Sequence, residues 1–444
     1  MVSVVRRYYL YRASLSSGFY VPVSVVYMES EGLGLPEIGL VQGTFLFSMV
    51  VWELPTGYLG DRLGRRTALA LGNVVTVAVM IGFALADSTA GFAAVYALWA
   101  VAWTLKTGTN DAWLYELLAR DGDGDEFSRI AGRADSTLRL VSGAAALSAG
   151  LLYTVAPPLP FLANAGLAAL GLPILLTIPR THGDGDDRRE GDVDHAGDAD
   201  ESTGDVDEPT GDGAPASDGA PASDGAPASD GAPAAGDAAL GVREAARVLA
   251  AQLSRPSIRW IVAYAALFNL VFSVTRVFEQ PAMRSVGVPV AGLGVLYAGF
   301  KLVSAVASGA AGPIHDRLGT RGTLFLLVPV VGVAYGAVAL VPVLLVPALF
   351  CRRALQRVTR PVRNGYVNDR VEDAGRATVL SGVSMALTLV SGTANVLGGR
   401  VAGSIGPVTF LSTVGVAVAV LGGLLWVAVS PVRAPAAEAD VTPS

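Results

Sequence analysis

The stretch Gly57-Tyr58-Leu59-Gly60-Asp61-Arg62-Leu63-Gly64-Arg65-Arg66 decides the fold of this sequence. It lies between two apolar runs, 37–59 and 68–87, and each run is long enough to cross a bilayer as a helix. A degenerate copy, Gly312-Pro313-Ile314-His315-Asp316-Arg317-Leu318-Gly319-Thr320-Arg321, follows a much later apolar run. The two copies stand at matching places in the two halves of the chain, which indicates an internal repeat.

Similar apolar runs fill most of the chain, since 52% of the 444 residues are hydrophobic and only 16% are charged. Lipid offers no hydrogen-bond partners, so these runs must be helices, and the sequence predicts an all-α membrane protein. We expect twelve spans, at 8–28, 37–59, 68–87, 91–116, 136–156, 160–179, 257–280, 291–313, 322–341, 343–366, 376–398 and 407–430. The first run shows no cleavage pattern and is interpreted as a signal anchor.

The spans form two halves with a polar segment between them. Residues 1–180 hold the first six spans, and residues 239–432 hold a short amphipathic helix at 239–253 followed by the other six. Residues 181–238 repeat the unit Asp-Gly-Ala-Pro-Ala-Ser and bury little apolar surface, so they predict a disordered linker. The tail, 433–444, is also predicted to be disordered.

Arginines mark one side of the predicted bundle. They cluster in alternate connections, for example at Arg6 and Arg7 and at Arg62, Arg65 and Arg66, whereas the other connections hold almost none. The positive-inside rule therefore predicts that both termini and the linker are cytoplasmic, in a multi-pass protein of the plasma membrane.

Composition excludes several other classes of protein. The single cysteine, Cys351, allows no intramolecular disulfide, and three scattered histidines suggest no metal site. A net charge of −6 gives no support for nucleic-acid binding. No nucleophile–base pair, metal spacing or phosphate loop is present, so we expect neither an enzyme nor a cofactor. The acidic, arginine-rich composition fits a salty cytoplasm, although a GC-rich genome would also replace lysine with arginine.

The first motif resembles the signature loop of the major facilitator superfamily, and every defining position fits. The resemblance covers everything except the linker and the tails, and it is strongest for haloarchaeal, drug-efflux-like members. It implies two pseudo-symmetric six-helix bundles that move a small solute across the bilayer, with coupling to protons expected, and a monomer. The implied gate motif comprises Gly57, Gly60, Asp61, Arg62, Gly64, Arg65 and Arg66, with Asp316, Arg317, Gly319 and Arg321 in the second copy.

The chemistry of this gate is expected to rest on close packing and one charge. Gly57 and Gly60 would let a neighbouring helix approach. By resemblance, Asp61 would bind the start of the eleventh span, with Arg376 and Thr378 nearby, where free N–H groups favour a negative charge. By symmetry, Asp316 would bind the start of the fifth span. The expected partners there are Arg133 and Ser136, and Ser136 is a candidate N-cap.

Several ionisable residues fall inside predicted spans, where an uncompensated charge costs roughly 2.5–3.5 kcal/mol on insertion scales. The candidates for cavity lining or proton coupling are Glu53, Lys106, Asp111, Glu116, Arg276, Glu279, Lys301, Arg353 and Arg357. Lys106 and Lys301 are the only lysines in the sequence. Glu116 and Glu279 lie near span ends, so solvation by head groups is the favoured interpretation for both, and Arg276 with Glu279 could form a helix-surface pair. Aromatic residues such as Trp99 and Trp103 could line an organic-solute cavity or simply pack.

Three functions remain open at this point. The first is a solute:proton antiporter that expels small organic compounds, and the second is an importer or symporter. The third is a transport-inactive sensor on the same fold, which the intact motif loops and the retained membrane charges disfavour. The exporter-type glycine signature is absent from span five, and the basic signature of span four is imperfect, with Lys106 and Gly108 as a displaced stand-in. The direction of transport therefore stays open.

Overall fold

The computed structural model describes residues 2–120, 126–179, 256–368 and 376–432, and this part of the chain contains fourteen α-helices. The predicted linker, the amphipathic helix at 239–253 and the tail lie outside the described residues. The helices are α1 Val2–Ser14, α2 Ser24–Ser30, α3 Leu35–Leu63, α4 Arg65–Leu85, α5 Thr89–Lys106, α6 Thr109–Arg120, α7 Phe127–Val155, α8 Leu159–Leu176, α9 Pro256–Ser285, α10 Val290–Phe325, α11 Leu327–Leu340, α12 Leu345–Asn368, α13 Arg376–Ile405 and α14 Pro407–Val429.

These helices correspond to the twelve predicted spans, and seven of those described are long and apolar enough to cross a membrane. The outer surface fits this environment, because large apolar side chains such as Leu85, Leu340 and Val427 are more than three-quarters exposed. In water such a surface would favour aggregation, whereas in lipid it is the expected exterior.

Two spans that hydropathy predicts as continuous are broken. The first divides into α1 and α2 around residues 15–23, and the fourth divides into α5 and α6 at Thr107 and Gly108. Gly108 adopts a φ of 76°, a left-handed conformation that glycine tolerates and that ends α5. Hydropathy averages over a window and does not detect a break of two residues.

The start of the fifth span also differs from the prediction. Helix α7 begins at Phe127, so Arg133 and Ser136 lie inside it rather than at its end. The Ser136 hydroxyl donates a hydrogen bond of 2.9 Å to the carbonyl of Gly132 in the preceding turn, so the predicted N-cap is wrong. The predicted boundary at 136 was set by the start of the apolar run, but the helix begins earlier, in the polar segment that precedes that run.

The halves meet tightly at one end of the bundle. We call the side that carries the loop Leu63–Arg65 the motif face and the other side the opposite face. Near the opposite face, a Cβ atom added at Gly39 of α3 would lie 2.4 Å from the carbonyl oxygen of Asn395 of α13. Likewise, a Cβ atom at Gly150 of α7 would lie 2.6 Å from the carbonyl oxygen of Ala291 of α10. Small residues thus allow the backbones of the two halves to touch there.

Toward the motif face, Gly57 and Gly60 of the motif make no corresponding contact with a described helix of the second half. A Cβ atom at Gly57 would meet no described atom within 4 Å, and one at Gly60 would meet only Ala68 of the next helix, at 4.0 Å. The close approach predicted at these two glycines is not made to any described residue in this conformation, so it stays a prediction. The protein is closed at the opposite face, while the glycine contacts that would close the motif face are not made among the described residues.

Candidate solute-binding site

A cavity of about 120 Å³ lies inside the first half. Both helix breaks border it, through Ser16 and Ser17 and through Thr107 and Gly108. Its polar and aromatic wall includes Arg12, Thr76, Trp99, Trp103, Lys106, Asp111 and Asn164. Non-helical backbone within the membrane is tolerated where it lines a cavity. The cavity therefore accounts for the two helix breaks that border it.

Lys106 ends α5 at this cavity. Its Nζ donates a hydrogen bond of 2.5 Å to the hydroxyl of Thr76 on α4, and the Asn110 amide donates one of 2.8 Å to the Lys106 carbonyl. That carbonyl belongs to the last turn of α5, so Asn110 satisfies a group that the break leaves without a helical partner. The sequence placed Lys106 inside a span, and the structure places it beside the break on the cavity wall.

An ion pair that the sequence analysis missed holds the other side of the wall. Arg12 of α1 donates a hydrogen bond of 2.5 Å to Asp135 of α7, and both residues are buried. Arg139 lies 3.8 Å from the second oxygen of Asp135. Arg12 is an arginine within the predicted span 8–28, so its position was the signal that could have identified it.

Four polar atoms of the cavity wall have no partner within the described part of the chain. They are Nε of Arg12, Nε1 of Trp103 and the side-chain oxygens of Asn110 and Asn164. Buried donors and acceptors are nearly always satisfied, because an unmade hydrogen bond costs about 1–3 kcal/mol. A bound solute or water in the cavity would satisfy these atoms.

The second half contains a buried charge cluster around Glu279, which is fully buried on α9. Its carboxylate accepts hydrogen bonds of 2.9 Å from Arg352, 2.7 Å from Arg353 and 2.6 Å from the Tyr297 hydroxyl. The interpretation of Glu279 as a head-group residue is therefore wrong, as is its predicted surface pair with Arg276. The sequence shows that Glu279 lies near the end of a span, but it does not show that α12 places two arginines against the Glu279 carboxylate.

Gln280 links this cluster to the first half. The backbone N–H groups of Val25 and Val26 donate to its side-chain oxygen at 3.0 and 3.2 Å. Its Nε2 donates to the Val21 carbonyl at 2.7 Å and to the Tyr297 hydroxyl at 3.2 Å. Because Tyr297 in turn donates to Glu279, a continuous hydrogen-bond path joins the break in the first span to the charge cluster.

The remaining candidates are more dispersed. Glu116 pairs with Arg65 of the motif at 2.5 Å, and both side chains are about one-third exposed, so head-group solvation accounts for only part of its surroundings. Four candidates are half-buried and do not line the cavity, namely Glu53, Arg276, Lys301 and Arg357.

Around the motif face, Arg66 donates to the Leu176 carbonyl at 2.5 Å, and Arg62 lies over the Tyr58 ring. In the described part of the chain, Asp316 is exposed and forms no ion pair with Arg133. The side chains of Asp61 and of residues 376–380 lie outside those described, so the gate contact stays a prediction.

Fold and site together define a polytopic helical membrane protein of two six-span halves with a polar cavity. The chain belongs to the major facilitator superfamily, whose family model matches residues 13–351. The prediction of this fold, with twelve spans in two halves, is confirmed. The chain is similar to NupG, a nucleoside transporter, with a TM-score of 0.69 at 12% identity over 96% of this chain and 97% of that one. It is also similar to a solved mutant of NupG, with a TM-score of 0.71 at 11% identity, over 96% and 98%.

Two curated relatives match part of the sequence. The uncharacterized MFS-type transporter MJ1317 of Methanocaldococcus jannaschii is 30% identical over 29% of this chain and 31% of its own length. The uncharacterized MFS-type transporter YxaM of Bacillus subtilis is 24% identical over 33% of this chain and 36% of its own length. The matches thus span about a third of each relative.

Proposed function

We propose that this protein is a secondary active transporter that exports a small organic solute by alternating access in a proton-coupled cycle. The observation that carries the proposal is the cavity at the two helix breaks, which contains Lys106 and Asp111 and several unsatisfied polar atoms. In transporters, discontinuous helices bind solutes near the middle of the membrane, where their free backbone groups are available.

Alternating access is supported by the packing of the halves. The glycine contacts close the opposite face, whereas Gly57 and Gly60 at the motif face lack such contacts among the described residues. Two halves that rock against each other would exchange these two arrangements. We propose that the motif face and both termini are cytoplasmic and that the plasma membrane holds the protein as a monomer. The described conformation then faces inward.

Proton coupling is assigned to Lys106. A desolvated lysine can release its proton, whereas an arginine stays charged. The described partner of the Lys106 ammonium group is the neutral hydroxyl of Thr76, so loss of the proton would not leave an unpaired carboxylate beside it. Binding of a solute could therefore change the proton occupancy of the cavity.

Transport in both membrane orientations tests the proposal. The full chain would be reconstituted into vesicles that contain a pH-sensitive dye, with labelled organic cations, anions, zwitterions and neutral solutes offered in turn. We expect at least one class to drive proton movement, with export from the motif face. A folded protein that moves no solute and no protons in either orientation would contradict the proposal.

A further inference from the structure

We infer that the cavity in the first half recognises a zwitterionic solute, with its cationic group at Asp111, its anionic group at Lys106 and an apolar body against Trp99 and Trp103. This inference rests on the proposed function and specifies its substrate class. All residues that line the cavity lie between Arg12 and Ala168, so the site belongs to one half of the molecule.

The cavity wall carries two charged groups of opposite sign. Lys106 and Asp111 both line the cavity, on either side of the break between α5 and α6. Within the described part of the chain no ion pair or hydrogen bond joins them, and Lys106 donates to Thr76 instead. The same wall thus offers a positive and a negative group that do not neutralise each other.

One neighbouring charge, Arg12, attracts the Asp111 carboxylate, but no direct ion pair joins these two residues in the described part of the chain. Arg12 is paired with Asp135 at 2.5 Å, and Arg139 lies 3.8 Å from the same carboxylate. Both arginines therefore lie against Asp135. Within the described part of the chain, the Asp111 carboxylate in the cavity wall has no direct ion pair. In a low-dielectric site an unpaired charge is costly, so a solute that neutralises both groups gains more than one that neutralises a single group.

The rest of the wall fits a small amphipathic body. Trp99 and Trp103 present aromatic surface, while Nε1 of Trp103 and the side-chain oxygens of Asn110 and Asn164 have no hydrogen-bond partner among the described residues. A few polar groups in a largely apolar cavity are the usual pattern of a small-molecule site. A simple cation would leave Lys106 unpaired, and a simple anion would leave Asp111 unpaired.

The direct test is calorimetric titration of the full chain in detergent with 4-aminobutanoate, butanoate and butylamine, against empty micelles as a blank. We expect the zwitterion to bind at least tenfold more tightly than either single-charge probe, because it makes both charge-assisted contacts. Aminoalkanoates of three to six carbons should show an optimum length set by the spacing of the two charged groups. Equal affinity for all three probes would overturn the inference.

Variants distinguish the two ends of the site. Asp111→Asn should lower the affinity for 4-aminobutanoate to that for butanoate, and Lys106→Gln should lower it to that for butylamine. Lys106→Arg keeps the positive charge and should retain the preference for the zwitterion. Asp87→Asn, which removes an exposed carboxylate near the opposite face, is the matched control and should leave binding unchanged.

The inference and the proposed function fail in different ways. If none of the aminoalkanoates binds but the reconstituted protein couples the movement of another class of solute to protons, the zwitterion site is wrong and the proposed function stands. If the zwitterion binds with the predicted variant pattern but vesicles transport nothing, the site stands and the transport function is wrong.

Discussion

The Gln280 side chain donates a hydrogen bond of 2.7 Å to the carbonyl of Val21, across the boundary between the two halves. The same amide accepts hydrogen bonds from two backbone N–H groups of the first span. One neutral side chain on α9 therefore satisfies the backbone at the break in the first span. The contact lies toward the opposite face, where the halves are closed.

Replacing Gln280 should loosen this closure. Gln280→Ala would leave buried backbone groups unsatisfied, at a cost of about 1–3 kcal/mol for each group that water does not reach. We expect faster hydrogen exchange of the amides in residues 21–28, measured by mass spectrometry. Gln280→Asn keeps both the donor and the acceptor on a shorter side chain, so its effect should be smaller. Unchanged exchange in the alanine variant would show that the contact does not hold the face closed.

The charge cluster should be important for folding. Glu279→Gln removes the carboxylate that neutralises Arg352 and Arg353, and breaking a buried pair costs roughly 3–5 kcal/mol. Glu116→Gln breaks the partly exposed pair with Arg65, for which about 0.2–1 kcal/mol is expected. Thermal melting in detergent should therefore separate the two variants clearly. Equal melting temperatures would contradict the account of the cluster.

The two lysines should differ in proton coupling. Lys106→Arg keeps the charge but cannot release a proton, so solute binding should persist while transport driven by a pH gradient is lost. Lys301→Arg, outside the cavity wall, should retain the response to the gradient. Dye-loaded vesicles measure both variants under the same conditions. A Lys106→Arg protein that remains fully coupled would exclude Lys106 as the coupling group.

The motif face should depend on Asp61. Asp61→Asn keeps the shape but removes the charge, and should weaken contact with the start of α13 by roughly 0.3–2 kcal/mol. Transport should fall while expression is retained, with a milder effect for Asp316→Asn. A structure closed at the motif face that places Asp61 far from residues 376–378 would refute this contact.

Removal of residues 184–236 should change little, because a polar tether contributes chiefly by connecting the halves. We expect nearly unchanged melting in detergent and nearly unchanged transport in vesicles. A large loss of folded protein would show that the segment does more than connect.

The helices and the two halves could be predicted from the sequence, because in lipid a long apolar run must form a helix to satisfy its own backbone hydrogen bonds. The motif at residues 57–66 and its copy identified the repeat, and the ionisable residues in span four identified part of the cavity. Lys106 and Asp111 could be recognised because a charged side chain inside a membrane span has a high free-energy cost and is therefore rare.

Contacts between distant residues could not be predicted in the same way. Glu279 and Arg352 are 73 positions apart, and only the packing of α9 against α12 brings them together. Gln280 is neutral, so nothing in the hydropathy pattern distinguishes it from other polar residues. The breaks at Gly108 and at residues 15–23 depend on local backbone geometry within otherwise apolar runs.

Pulsed electron paramagnetic resonance tests the central claim of alternating access most directly. In a Cys351→Ala background, one spin-labelled pair, Asp87→Cys with Ser404→Cys, would report on the opposite face. A second pair, Thr67→Cys with Ser308→Cys, would report on the motif face. We predict two distance populations for each pair, whose weights change in opposite directions when the pH is changed or solute is added. A single fixed distance for both pairs, or a widening of both faces together, would contradict the account.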